Sequence, residues 1–284
     1  MSEAVLSIQS HVAFGHVGNS AAVFALQRLG FEVWPVHTVT LSNHKGYGRW
    51  RGIELSPADV SGIIDGMADV GAFADCRALL SGYLGDPGMG RSVLHALDRL
   101  RGQVPQALYL CDPVMGDSDC GFFVDAAIPA FFRDEVVPRA DIVTPNRFEL
   151  GVLTGREPEG LEDMVAAAHE VRRMGPKAVV VTSVEVGERP GKLGTLVVAA
   201  DECRIVWQDR VPVALSGTGD SFAALFLGHF LRSGSLCEAL ELAVSAMVDL
   251  VRITSEAGSG ELLLVEAQDF LVRPSGRLAA RRPD

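Results

Sequence analysis

Short runs of almost wholly apolar residues alternate along this chain with longer amphipathic ones. Residues 4–9 form an apolar run that ends in Ser10-His11, and helical periodicity follows from Asn19 to Leu29, with Gly30 placed to cap its end. Residues 31–39, rich in β-branched and aromatic side chains, read as a second strand, so the chain begins β-α-β, the unit of a parallel sheet. The alternation continues. Ser56-Pro57 opens a helix with Val60, Ile63, Ile64 and Met67 on one face. A strand over 77–81, a helix over 90–101 and a strand over 107–111 come next. A short strand at 141–144 ends at Pro145, and Asn146 and Glu149 open another helix. A helix over 161–174 and an apolar strand over 178–181 follow. Strands at 193–200 and 204–207, joined by Asp201-Glu202, predict an antiparallel edge. Helices over 218–232 and 236–253 close the pattern.

An α/β class with a parallel sheet places ligand-binding loops beyond the carboxyl ends of the strands. On that rule one rim carries Ser10 and His11, the loop 41–48, Tyr83 after the third parallel strand, Asp112 after the fourth, and Thr182-Ser183 after a later one. The loop 41–48 is polar, aromatic and glycine-containing, and it fits either a substrate flap or a plain solvated connection. Asp112-Pro113 fits a turn as well as a cation site, and Glu149 fits the helix dipole without any ligand.

Composition narrows the classes. The chain has 284 residues, 48% hydrophobic and 21% charged, enough for a sizeable core. The net charge of −11 argues against general nucleic-acid binding. No apolar run reaches the roughly 18 residues that cross a bilayer, and the amino-terminal text has no basic leader, so a cytoplasmic setting is expected. Five scattered cysteines without CxxC spacing favour neither a zinc site nor a disulfide framework. No repeat or linker interrupts the text, so one domain over 1–284 is expected, with the charged tail 277–284 frayed.

The strongest chemistry lies at Ser216-Gly217-Thr218-Gly219-Asp220-Ser221-Phe222. Small residues here precede a helix whose first N–H groups are unpaired, and one carboxylate stands at its mouth. The combination suits phosphoryl transfer, although alone it also fits an ordinary capped helix.

Several motifs recur in order along the chain: Ile8-Gln9-Ser10-His11-Val12 with Gly15-His16-Val17-Gly18-Asn19, Ser42-Asn43-His44, Ser81-Gly82-Tyr83-Leu84-Gly85, Asp112-Pro113-Val114-Met115-Gly116-Asp117, Thr144-Pro145-Asn146 with Glu149, and Gly217-Thr218-Gly219-Asp220. In this text the chain resembles the pyridoxal kinases of the ribokinase-like superfamily. The resemblance implies a three-layer α/β/α fold with a central mostly parallel sheet and antiparallel edge strands, usually in a homodimer. It implies MgATP-dependent phosphorylation of the 5′-hydroxymethyl group of pyridoxal, and leaves open pyridoxine, pyridoxamine and a K⁺ requirement. Asp220 would be the general base, with Gly217, Thr218 and Gly219 as the anion hole. Asp112 and Glu149 would place Mg²⁺. Asp112, Thr144, Asn146, Glu149, Thr182, Ser183, Arg210, Val211, Pro212 and Val213 would form the ATP side. Ser10, Val17, His44, Lys45 and Tyr83, with Asp220, would form the substrate side.

One residue departs from the family text: Lys45 stands where Ser-Asn-His is usually followed by threonine. An amine beside an aldehyde can make a polar contact or a reversible imine, and a solvent-facing lysine is the alternative. Two other readings fit the same sequence: a hydroxymethylpyrimidine kinase of the same fold, and a catalytically weak B6-binding protein.

Overall fold

The computed structural model describes residues 3–283. Its elements in chain order are β1 (Ala4–Val12), α1 (Asn19–Arg28), β2 (Glu32–Leu41), β3 (Gly52–Glu54), α2 (Pro57–Asp69), β4 (Cys76–Ser81), α3 (Pro87–Gln103), β5 (Leu108–Cys111), β6 (Gly116–Asp117), β7 (Gly121–Phe122), α4 (Ile128–Phe131), β8 (Ile142–Val143), α5 (Arg147–Thr154), α6 (Gly160–Arg173), β9 (Ala178–Val184), β10 (Lys192–Val198), β11 (Cys203–Asp209), α7 (Thr218–Ser233), α8 (Leu236–Glu256) and α9 (Gln268–Val272). Among the described residues no helix is long and apolar enough to cross a membrane.

Side chains alternate across a strand, and both faces of this sheet are apolar. Leu6 and Leu79 face a core shared with Ile64 of α2, Leu97 of α3 and Val171 of α6. Their neighbours Val5 and Leu80 face a second core shared with Leu26 of α1, Phe226 of α7 and Leu240 of α8. A fully buried leucine contributes about 2 kcal/mol on leaving water, so helices are held on each side and three layers result.

The large sheet runs β11-β10-β9-β8-β5-β4-β1-β2-β3. The pairs from β2 across to β9 are parallel, and β3, β10 and β11 add antiparallel edges. From β1 the chain steps first to β2 and later to β4 on the other side. The order therefore reverses between β1 and β4, and the loops after these strands part to leave a crevice.

Several boundaries differ from the sequence reading. Strand β1 runs on through Val12, so Ser10 and His11 lie inside its end rather than beyond it. Helix α3 starts early, at Pro87, because Asp86 caps it, accepting the N–H groups of Gly88 and Met89 in its first turn. The segment before Asp284, expected to fray, is held down. Leu278 N–H donates to Ser245 Oγ, Ala280 N–H to Glu241, and Arg281 exchanges both backbone hydrogen bonds with Ile205 on the β11 edge. Asp284 lies outside the described residues.

Candidate active site

Helix α7 begins at Thr218 because Gly217 takes a left-handed conformation, φ 83° and ψ 0°, that turns the chain into the helix. A Cβ on Gly217 would collide with the His16 carbonyl, so the loop after β1 packs directly on this turn. No side chain caps α7. The first-turn N–H groups, with the glycines on either side of Thr218, form a surface suited to an anion. Asp220 stands in that first turn, with the Gly18 amide facing its carboxylate. Burial raises its pKa, and the Gly18 amide and its own amide hold part of that rise back.

Across the crevice, Asp112 follows β5 and accepts the Thr144 hydroxyl at 2.8 Å. Burial, then the charge of Asp220, pushes its pKa up to about 7. Glu149 in the first turn of α5 forms a reciprocal cap with Asn146 and also accepts the Met115 N–H at 2.8 Å. Burial, then the charge of Asp112, pushes its pKa well up despite those N–H bonds. Two buried carboxylates that repel each other beside one cleft have the donor chemistry of a hard divalent cation. Among the described residues no third carboxylate, histidine or cysteine completes a cluster, and Glu149's oxygens already accept backbone N–H groups. The set fits Mg²⁺ whose remaining ligands are water and phosphate oxygens. Asn146 and Thr182 form a parallel bridge that extends the β8 and β9 pairing up to the cleft.

The opposite wall carries Ser10, Val17, His44, Lys45 and Tyr83. The Lys45 Nζ lies 5.7 Å from the ring centres of both Trp50 and Tyr83, so it lies over two aromatic faces, of which Tyr83 lines the cleft, although Lys45 is exposed. The loop that bears it is braced at its ends: Ser42 and Arg51 exchange hydrogen bonds, and Asn43 donates to the Arg49 carbonyl.

These walls enclose about 620 Å³, and Asp112, Thr144, Asn146, Glu149, Thr182 and Gly217 to Asp220 line it together with the ring-side residues. Ser183 and Arg210 to Val213 do not line it. Ser183 is exposed with φ 56°, and Arg210 pairs with Glu185 on the surface at 3.4 Å. The cleft also includes Cys120 and Phe123, near the β6–β7 hairpin, and Val39 and Leu41 near the end of β2. Strand β2 runs to Leu41, further than the sequence pattern suggested. A hydrophobic residue two positions before the polar loop was the available signal.

The sequence model of the phosphomethylpyrimidine kinase family matches residues 36–264. Pyridoxal kinase PdxY of Rubrobacter xylanophilus is 49% identical over 281 residues, covering 98% of this chain and 97% of that protein. The Deinococcus radiodurans PdxY is 46% identical over 288 residues, with 98% and 96% covered. This chain belongs to the pyridoxal kinase family. The Leishmania donovani pyridoxal kinase in complex with ADP superposes with a TM-score of 0.93 at 30% identity over 99% of both chains. Its complex with ADP and pyridoxine gives 0.91 at 31%, over 98% of both. The three layers described above are the ribokinase-like fold of that family.

Proposed function

We propose that this chain is an ATP-dependent pyridoxal kinase that phosphorylates the 5′-hydroxymethyl group of pyridoxal, giving pyridoxal 5′-phosphate in vitamin B6 salvage. The observation that carries this reading is the position of Asp220. A buried carboxylate with a raised pKa stands at an uncapped helix start, in a cleft that also holds an aromatic wall. A base whose pKa lies above the ordinary carboxylate range is better matched to a hydroxyl proton. Asp220 takes that proton as the phosphoryl group moves, and the first-turn N–H groups at Gly217 to Gly219 meet the charge that develops.

Ser10 bonds the pyridine ring, Tyr83 and Val17 pack on it, and His44 and Lys45 close over it. Thr144, Asn146 and Thr182 hold the nucleotide, which extends past them onto Ser183 and the segment Arg210 to Val213. Asp112 and Glu149 hold Mg²⁺, which neutralises phosphate charge when bound. The chain acts as one catalytic domain. It works in the cytoplasm, in keeping with five free cysteines, and as a homodimer. The edge strand β3 supports the last point: Ile53 is 64% exposed there, and Phe14 and Trp50 are exposed nearby.

The test is a coupled assay with MgATP and, in turn, pyridoxal, pyridoxine, pyridoxamine and hydroxymethylpyrimidine, with and without K⁺. Asp220→Asn lowers kcat roughly 10²–10⁴-fold while pyridoxal still binds. Turnover of hydroxymethylpyrimidine alone, or binding of pyridoxal with no turnover, would overturn the assignment. Light scattering checks the dimer.

A further inference from the structure

Glu261 follows α8 in a short turn, far in sequence from every motif of the cleft, and its side chain is 14% exposed. Its carboxylate gathers three partners from two loops. Oε1 accepts the Tyr47 hydroxyl at 2.7 Å and lies 3.3 Å from His44 Nε2. Oε2 accepts the His16 N–H at 3.3 Å. His44 lines the cleft and Tyr47 stacks at a tilt on it, 4.7 Å between ring centres. The same His16 peptide turns its carbonyl onto Gly217, where a Cβ would collide with it. Gly15, with φ 91°, lies so close to Glu261 that a side chain there would strike the carboxylate. Two glycines thus keep the His16 peptide packed between Glu261 and the start of α7.

We infer that Glu261 is a positioning residue that latches the flap at His44 to Tyr47 over the acceptor side of the cleft and sets that flap relative to the anion loop. The inference rests on the kinase reading above. Glu261 does not line the cleft, so it acts through His44 and the His16 peptide. A carboxylate suits this post because it can accept from a hydroxyl, a ring N–H and a backbone N–H at once. Gln keeps the shape but gives up one acceptor oxygen and the charge, and Ala gives up all three contacts.

The experiment measures KM for pyridoxal and for ATP separately in Glu261→Ala, Glu261→Gln and Tyr47→Phe, with Tm recorded for each. A latch on the acceptor side predicts that Glu261→Ala raises the pyridoxal KM about tenfold and moves the ATP KM less than about twofold. Glu261→Gln falls between wild type and Ala, and Tyr47→Phe raises the pyridoxal KM by a few fold at unchanged Tm. A second readout is Trp50 fluorescence in a Trp34→Phe, Trp207→Phe background, where pyridoxal binding alters Trp50 emission and Glu261→Ala removes the change. An active wild type with a pyridoxal KM in Glu261→Ala within about twofold of normal overturns the latch and leaves the kinase reading intact. Equal losses for both substrates together with a fallen Tm also overturn it, since they describe a general brace. A wild type that turns over no B6 vitamer sinks the kinase reading instead, and the fluorescence comparison then still decides whether Glu261 holds the flap.

Discussion

The Gly18 amide faces the Asp220 carboxylate closely enough to hold down its raised pKa, so the loop after β1 packs on the base proposed on α7. Gly18 has φ 55° and ψ −133° and caps α1, and a Cβ there would collide with the Ser10 carbonyl and hydroxyl. Only glycine adopts this backbone without strain of about 1–3 kcal/mol. Gly18→Ala therefore displaces Ser10 and Asp220 together. Steady-state kinetics will show kcat/KM for pyridoxal lowered at least about 100-fold. Gly62→Ala is the control, since it lies inside α2 with open space around it and gains about 0.5–1 kcal/mol.

Asp112 gives a pH signature with a definite sign. Burial, then Asp220, raises its pKa from 3.8 to about 7. Between those values the folded chain keeps a proton that the unfolded chain has released, so this site costs stability as pH rises from about 4 to 7 and changes nothing above that. Asp112→Asn removes the titration. Thermal melts in the absence of ligand will show the variant gaining on wild type as pH rises through that window. A constant difference across it would mean that Asp112 titrates normally.

Elements whose environment is symmetric were the legible ones. The central strands are apolar on both faces, as in the buried run Val179, Val180 and Val181, and a parallel sheet follows from that pattern without further information. Strand β3 was missed because Gly52, Ile53 and Glu54 are all exposed and carry no alternation; only pairing with β2 makes them a strand. The carboxyl-end rule brought His44, Lys45, Tyr83 and Asp112 to the cleft, since each follows a parallel strand. It says nothing of Arg210 to Val213, which follow the antiparallel edge strand β11 and were expected at the nucleotide only from the family resemblance. Glu261 was invisible for a different reason. It lies 245 residues from His16, and a lone Glu after Ser259-Gly260 marks only a turn; the apolar run from Leu262 to Val265 behind it was the one hint that the turn is anchored.

His229 supplies an opposite slope at lower pH. Burial, then Arg232, pushes its imidazole down to about 4, with the Leu271 backbone opposing only weakly, and its Nε2 lies buried without a partner. Below pH 6.5 the unfolded chain takes up a proton that the folded chain refuses until about pH 4. Stability is therefore lost as pH falls through that range, by on the order of 3 kcal/mol. His229→Met keeps the bulk and removes the titration. Denaturant melts at pH 7.5 and pH 5 will show a smaller loss for the variant. Some slope persists, because burial also lowers the pKa of the stacked His11 and His37. Equal losses in the two proteins would count against a depressed His229.

Lys45 offers a chemical test of which vitamer the cleft is built around. Its Nζ lies over Trp50 and over Tyr83, which lines the cleft on the side proposed to hold the ring. If it reaches the aldehyde of pyridoxal, the neutral amine adds to the carbonyl carbon and water leaves, giving an imine; borohydride then delivers hydride to that carbon and fixes a secondary amine. Pyridoxine has an alcohol at that position and cannot react this way. Treatment with pyridoxal and borohydride followed by peptide mapping will place the adduct on Lys45, and pyridoxine will give none. Lys45→Thr abolishes the adduct and lowers the ratio of pyridoxal to pyridoxine kcat/KM, because the group that distinguishes aldehyde from alcohol is gone. Labelling confined to other lysines, with that ratio unchanged, would leave Lys45 as a cation resting on two rings and nothing more.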